Sequence, residues 1–251
     1  MVKAMWRGCG AQLPLSDKRD NSCANETVRF LSSIMTDFTT LRTAMVDCQV
    51  RPSDVTKFPV IEAMLTVPRE VFVPAEKRGV AYAGAHVELG GGRVIMDPRI
   101  LAKLLDALDI KPDELVLDLG CGLGYSTALI AHLAEAVIAV ESDPDLAAEA
   151  EANLETQSVD NAFVIHAPLI EGAAKHGPYD AVLVGGAVQK IPASIVDQIK
   201  DGGRIAAIFS KNASGECRLG VKSGGRVAWR AVFDATAPVL PEFADQPEFS
   251  L

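Results

Sequence analysis

Asp118, Gly120, Gly122 and Glu141 are the residues whose types and spacing could do chemistry in this chain. Asp118 closes the apolar run 115–117, and Gly120, Gly122 and Gly124 follow at alternate positions. Glycines admit positive φ and let a ligand approach the backbone with no Cβ in the way. Glu141 closes the next apolar run, 136–140, and puts a second carboxylate at a strand end. The spacing is G-x-G-x-G, with an acid two positions before the first glycine. A dinucleotide fingerprint needs G-x-G-x-x-G instead. The plainer alternative is a structural α/β turn that holds no cofactor.

These residues need a strand, a turn and a helix to position them. The pattern predicts a buried strand over 115–117, a turn over 120–124 and an amphipathic helix over 125–133. Ser126 and Thr127 fall near the start of that helix, where orphan N–H groups need partners. Ligands of open α/β sheets lie outside the carboxyl ends of strands, which puts a cofactor at this turn. Upstream, helical spacing predicts a helix over 38–50, broken at Arg51-Pro52, and a second one capped by Ser53 or Asp54 and carrying Val60, Ile61, Met64 and Leu65. Residues 68–74 read as a linker, 90–98 as a glycine-led loop and 100–108 as a helix. Downstream, helices over 145–154 and 192–199 alternate with strands over 163–166, 179–184 and 204–209. Two further strand-like runs, 218–221 and 227–233, flank a Ser223-Gly224-Gly225 turn. The expected fold is α/β: a doubly wound, mostly parallel Rossmann-like sheet with helices on both faces, an antiparallel C-terminal edge and a helical N-terminal extension. The expected division is a loosely attached segment over 1–34, a helical region with the substrate loop over 35–108, and a core over 109–251.

The 251 residues, 49% of them hydrophobic, suffice for one sizeable core with appendages. A net charge of −9 argues against nucleic acid or an anionic membrane as the main partner. Five cysteines without C-x-x-C spacing and four dispersed histidines point to reduced, cytoplasmic thiols and to no metal site. Oligomeric state is not legible.

The segment Asp118-Leu119-Gly120-Cys121-Gly122-Leu123-Gly124 resembles the first motif of class I S-adenosylmethionine-dependent methyltransferases. That cofactor carries an ammonium for a carboxylate to hold and has no pyrophosphate. The runs MVDCQV, VIEAMLTVPREVFVP, PYDAVLVGGAVQKIP and IKDGGR, in this order between Met45 and Arg204, resemble the protein-L-isoaspartate O-methyltransferases. The resemblance implies a methyltransferase core and transfer of a methyl group to the side-chain carboxyl of isoaspartyl residues, a protein-repair reaction. It places the methionine end of the cofactor at Asp118, Gly120, Cys121 and Gly122, and its ribose at Glu141 with Ser142 adjoining. Ala167 lies in the adenine segment, and Gly185 lines the cleft.

The same resemblance exposes departures. The family's substrate loop reads close to G-x-G-Q-T-I-S-Q-P-Y, and here Met96 stands where the serine would contact the substrate carboxyl. Arg93 and Asp97 replace two glutamines, and His166-Ala167-Pro168 lacks the acid expected against adenine. Losing a hydrogen bond to a charged group costs about 1.5–3 kcal/mol. Arg93 or Arg99 is expected to offset that loss by gripping the substrate carboxylate, unless both are solvated surface charges. Met96, Arg93 and Asp97 are therefore the candidate catalytic positions. Three readings stay open: isoaspartyl transfer, transfer to another acceptor, and a degenerate cofactor-binding homologue.

Overall fold

Residues 137–140 and 181–184 are unbroken apolar runs, the mark of strands covered on both faces. A computed structural model of the chain, which describes residues 37–211 and 214–245, places them at the centre of the fold. The segment expected over 1–34, with Cys9 and Cys23, lies outside the described residues.

The first elements are helices α1 (Phe38–Met45) and α2 (Phe58–Thr66), the hairpin of β1 (Val87–Gly90) and β2 (Arg93–Ile95), and helix α3 (Pro98–Leu108). Then β3 (Leu115–Leu119), α4 (Tyr125–Ala131), β4 (Ala136–Glu141), α5 (Pro144–Thr156) and β5 (Ala162–His166) alternate. The rest comprises β6 (Tyr179–Val188), α6 (Ala193–Asp197), β7 (Ile199–Lys211), β8 (Ser214–Ser223) and β9 (Arg226–Asp234). Seven strands form one sheet in the order β5-β4-β3-β6-β7-β8-β9. Pairs from β5 through β7 are parallel, whereas β8 and β9 pair antiparallel, as the Gly224-Gly225 turn predicts. The chain order reverses between β3 and β6, so their carboxyl ends form the crevice of the sheet.

Alternate strand residues feed two cores. Val116, Val137, Ala181 and Leu183 pack with α1 through α4, so the helical N-terminal region shares its core with the sheet. Leu117, Val140, Val182 and Val184 face Leu169, Ile195 of α6, and Leu240 and Phe243 near the end of the chain. The second face is thus covered by one short helix and by irregular chain.

Several boundaries differ from expectation for local reasons. Helix α1 ends at Met45 and continues as a π turn over Val46–Val50 and a 3-10 turn over Arg51–Ser53, where Pro52 has no N–H to extend it. Ser53 Oγ donates back to Gln49 O at 2.7 Å, and Asp54 takes a left-handed φ of 64°, so neither residue caps the second helix. That helix starts at Phe58 with Pro59 in its first turn and Lys57 at its cap. The expected linker is a packed 3-10 turn, Arg69–Phe72, with Arg69 and Phe72 buried. The glycine loop is a hairpin, and β6 and β7 run longer than their apolar stretches suggest.

Candidate active site

Asp118 lies at the carboxyl end of β3 and is fully buried. Its Oδ2 accepts the hydroxyls of Ser126 and Thr127, each at 2.7 Å. The two hydroxyls expected at the helix N–H groups therefore serve the carboxylate. Gly124, at φ 93°, takes the cap position of α4. Asp118 Oδ1 is buried without a partner. Burial pushes the Asp118 pKa up to about 6, against the two hydroxyl donors, and the charge of Glu141 pushes the same way.

The turn between β3 and α4 passes through Gly120 at φ 77° and Gly122 at φ 56°, conformations that L side chains rarely adopt. Gly185 of β6 is needed for a different reason. A Cβ there would stand 2.3 Å from the carbonyl oxygen of Gly120, so the tips of β3 and β6 touch backbone to backbone. Across the turn, Glu141 is also fully buried. Its Oε2 accepts from Gly122 N at 2.9 Å, and its Oε1 accepts from Ser142 N at 2.8 Å and Asp143 N at 3.2 Å. Ala167 N donates to the backbone carbonyl of Glu141 at 3.1 Å, which ties the loop after β5 to the end of β4.

The hairpin of β1 and β2 roofs this crevice. Leu89 leans over Gly122, close enough that a Cβ on Gly122 would meet its Cδ1 at 2.9 Å. Arg93, 6% exposed, donates from Nε to Glu141 Oε1 at 2.8 Å and from Nη2 to Ser142 Oγ at 2.6 Å. The guanidinium expected to be free for a substrate carboxylate is spent on the carboxylate expected to hold ribose. Arg99 is exposed. Met96 is buried and lines a space with Gly120, Cys121, Tyr125, Ser126 and Gly185. That space amounts to about 10 Å³, roughly the room of one water. Asp97 caps α3, its Oδ1 accepting from Arg99 N at 2.7 Å and Ile100 N at 3.4 Å. Asp-Pro ahead of a helical run carried that signal.

Sequence reasoning missed two supports. Arg69, which with Glu70 interrupts the otherwise apolar stretch 67–74, is fully buried. It donates from Nε to Ala81 O at 2.6 Å and from Nη2 to Met96 O at 2.7 Å, with its guanidinium 4.7 Å above the Tyr125 ring. It thereby fixes the backbone of Met96; a charge inside a hydrophobic stretch was the available clue. The other support is the segment around Leu240 and Glu242. Leu240 N donates to Ala187 O at 2.8 Å, and Glu242 Oε2 accepts from Leu169 N at 2.7 Å. Nothing in the local sequence marks it.

A family model described as Protein-L-isoaspartate(D-aspartate) O-methyltransferase matches residues 42–232. A relative from Methanoculleus marisnigri named Protein-L-isoaspartate O-methyltransferase is 36% identical over 210 residues, 83% of this chain and 96% of its own length. Another, from Marinobacter nauticus, named Protein-L-isoaspartate O-methyltransferase 2, is 38% identical over 169 residues, 67% of this chain and 77% of its own. Among solved structures, a protein from Plasmodium falciparum described as a putative protein-L-isoaspartate O-methyltransferase, in complex with S-adenosyl-L-homocysteine, superposes with a TM-score of 0.68. It is 21% identical, over 81% of this chain and 98% of that one.

Proposed function

Because the chain belongs to the protein-L-isoaspartate(D-aspartate) O-methyltransferase family, we propose that it transfers a methyl group from S-adenosylmethionine to a side-chain carboxylate of a protein or peptide, an L-isoaspartyl residue first among them. The observation that carries this reading is the pair of buried carboxylates, Asp118 and Glu141, flanking a turn with glycine at alternate positions between adjacent strand tips. Asp118 Oδ1, buried without a partner, suits the ammonium of the cofactor, and Glu141 suits its ribose. Gly120, Cys121, Gly122 and Gly185 give backbone contact between them, with Ser142 and Ala167 alongside.

S-adenosylmethionine, when bound, supplies a sulfonium-activated methyl carbon open to in-line displacement. An acceptor carboxylate is already ionised near neutral pH, so the chain need not hold a strong base for it. What the chain contributes is alignment and exclusion of water. Arg69 holds the Met96 carbonyl, His86 Nδ1 accepts from Asp97 N at 3.0 Å, and the hairpin covers the turn.

Calorimetry with S-adenosylhomocysteine, followed by radiolabelled methyl transfer to an isoaspartyl peptide, tests the reading; no binding would sink it. Met96 favours a second reading, in which the cofactor is kept and the acceptor differs, because a thioether cannot donate a hydrogen bond to a carboxylate. Met96→Ser should raise transfer to the isoaspartyl peptide about tenfold or more, the worth of one bond to a charged group. An unchanged rate, with cofactor binding intact, would favour the other acceptor.

The raised Asp118 pKa sets a pH dependence. The folded chain holds this proton more tightly than the unfolded chain, so the group lowers stability as pH rises from about 4 to about 6. Cofactor affinity runs the other way, since an ammonium needs the ionised form. Binding of S-adenosylhomocysteine should weaken towards tenfold per pH unit below about 6, and Asp118→Asn should flatten the profile. A flat wild-type profile between pH 5 and 8 would remove Asp118 from the site.

We also assign the protein to the cytoplasm, on its acidic charge and dispersed thiols. No helix among the described residues is long and apolar enough to cross a membrane.

A further inference from the structure

We infer that Arg93 is a built-in competitor for the cofactor: its guanidinium occupies the Glu141 carboxylate and must withdraw before a ribose can take that place. The inference rests on the cofactor reading above and goes beyond it.

A carboxylate offers about four acceptor sites, two on each oxygen. Glu141 Oε1 already meets Arg93 Nε, Ser142 N and Asp143 N, and Oε2 meets Gly122 N. Three of these donors are backbone groups fixed by the turn and by the start of α5. Only Arg93 is a side chain able to swing away. A vicinal diol donating to both oxygens therefore competes with this one residue. The contact is also well made: both partners are buried, and charge-assisted hydrogen bonds are the strong ones.

The guanidinium is held from outside as well. Glu242 Oε1 lies 3.6 Å from Arg93 Nη2, while the other oxygen of Glu242 anchors to Leu169 N. Pro241 packs against Gly92 beside it, where a Cβ on the glycine would meet Pro241 Cδ at 3.4 Å. The hairpin and the segment carrying Glu242 thus close over the crevice together. Arg93 Nη1 is buried without a partner, so the closed arrangement leaves one donor unsatisfied. Removing Arg93 from Glu141 therefore lets a ligand diol exchange for the guanidinium, and relieves that orphan if the side chain reaches water.

The test is calorimetry with S-adenosylhomocysteine on the full chain and on Arg93→Gln, Arg93→Lys and Glu242→Gln. Arg93→Gln should bind about tenfold or more tightly than wild type, because it removes the charged occupant and leaves three donors on Glu141. Arg93→Lys keeps a charge and should stay near wild type. Glu242→Gln loosens the outer hold without touching the Arg93–Glu141 bond and should give a smaller gain, which preserves the test if Arg93→Gln fails to fold. Equal or weaker binding by folded Arg93→Gln, or no gain from Glu242→Gln where Arg93→Gln does not fold, overturns the competitor and leaves the cofactor reading standing. No binding by wild type or any variant overturns the cofactor reading itself, and the competitor with it.

Discussion

Gly185→Ala will abolish S-adenosylhomocysteine binding and lower the stability of the chain by about 3 kcal/mol, the upper part of the range for forced overpacking. The added Cβ would stand 2.3 Å from Gly120 O and 3.2 Å from Leu119 O. Both neighbours are backbone atoms at the end of β3, which pairs with β6 through Leu119 and Val184. Relief requires the two strand tips to part, and the turn carrying Gly120 and Gly122 moves with them. Gly186→Ala supplies the contrast. Its Cβ would press at 2.8 Å on the side chain of Leu240, which can shift, so the effect on binding should be far smaller. Thermal unfolding and calorimetry on the two variants decide the matter. Wild-type behaviour of Gly185→Ala would refute the close approach of the two strands.

Glu141→Gln will be the second severe lesion. The substitution keeps shape and removes charge, leaving the buried Arg93 guanidinium with only Glu242 at 3.6 Å for compensation. Removing one partner of a buried ion pair costs about 3–5 kcal/mol, which for a chain of this size lowers the melting temperature by roughly 10 °C. Ribose recognition is lost at the same time, because the amide replaces one of the two acceptor oxygens with a donor and removes the charge. Combining Glu141→Gln with Arg93→Gln should restore much of the stability and none of the cofactor binding. That separation distinguishes the structural role of Glu141 from its ligand role. A Glu141→Gln chain that melts and binds like wild type would show that neither role belongs to it.

The organising stretch was legible because its determinants are short-range. An apolar strand, glycines at positive φ and a helix beginning at Tyr125 act over a few residues, and the structure has them where spacing places them. Asp118 and Glu141 followed, since each is the acidic residue that ends an apolar strand run beside the turn. The closing antiparallel hairpin was equally local, with Gly224 and Gly225 both at positive φ. Two of the errors were also local and arose where two signals competed. Ser53 and Asp54 are cap formers by type, yet Pro59 and the turn after Gln49 set the helix start at Phe58. Ser126 and Thr127 sit in the first turn of α4, but a fully buried carboxylate takes their hydroxyls ahead of the N–H groups.

Taken alone, the amino-acid sequence determined the sheet class, the glycine turn after β3 and the two carboxylates at the strand ends, because backbone preference and burial act between near neighbours. Tertiary structure alone decided what surrounds those carboxylates. Arg93 reaches Glu141 from 48 positions away, Arg69 reaches Met96 from 27, and Glu242 reaches Leu169 from 73. No spacing rule links such pairs: a charge joins whichever opposite charge or carbonyl the packed chain brings within about 3 Å, and that depends on the whole fold.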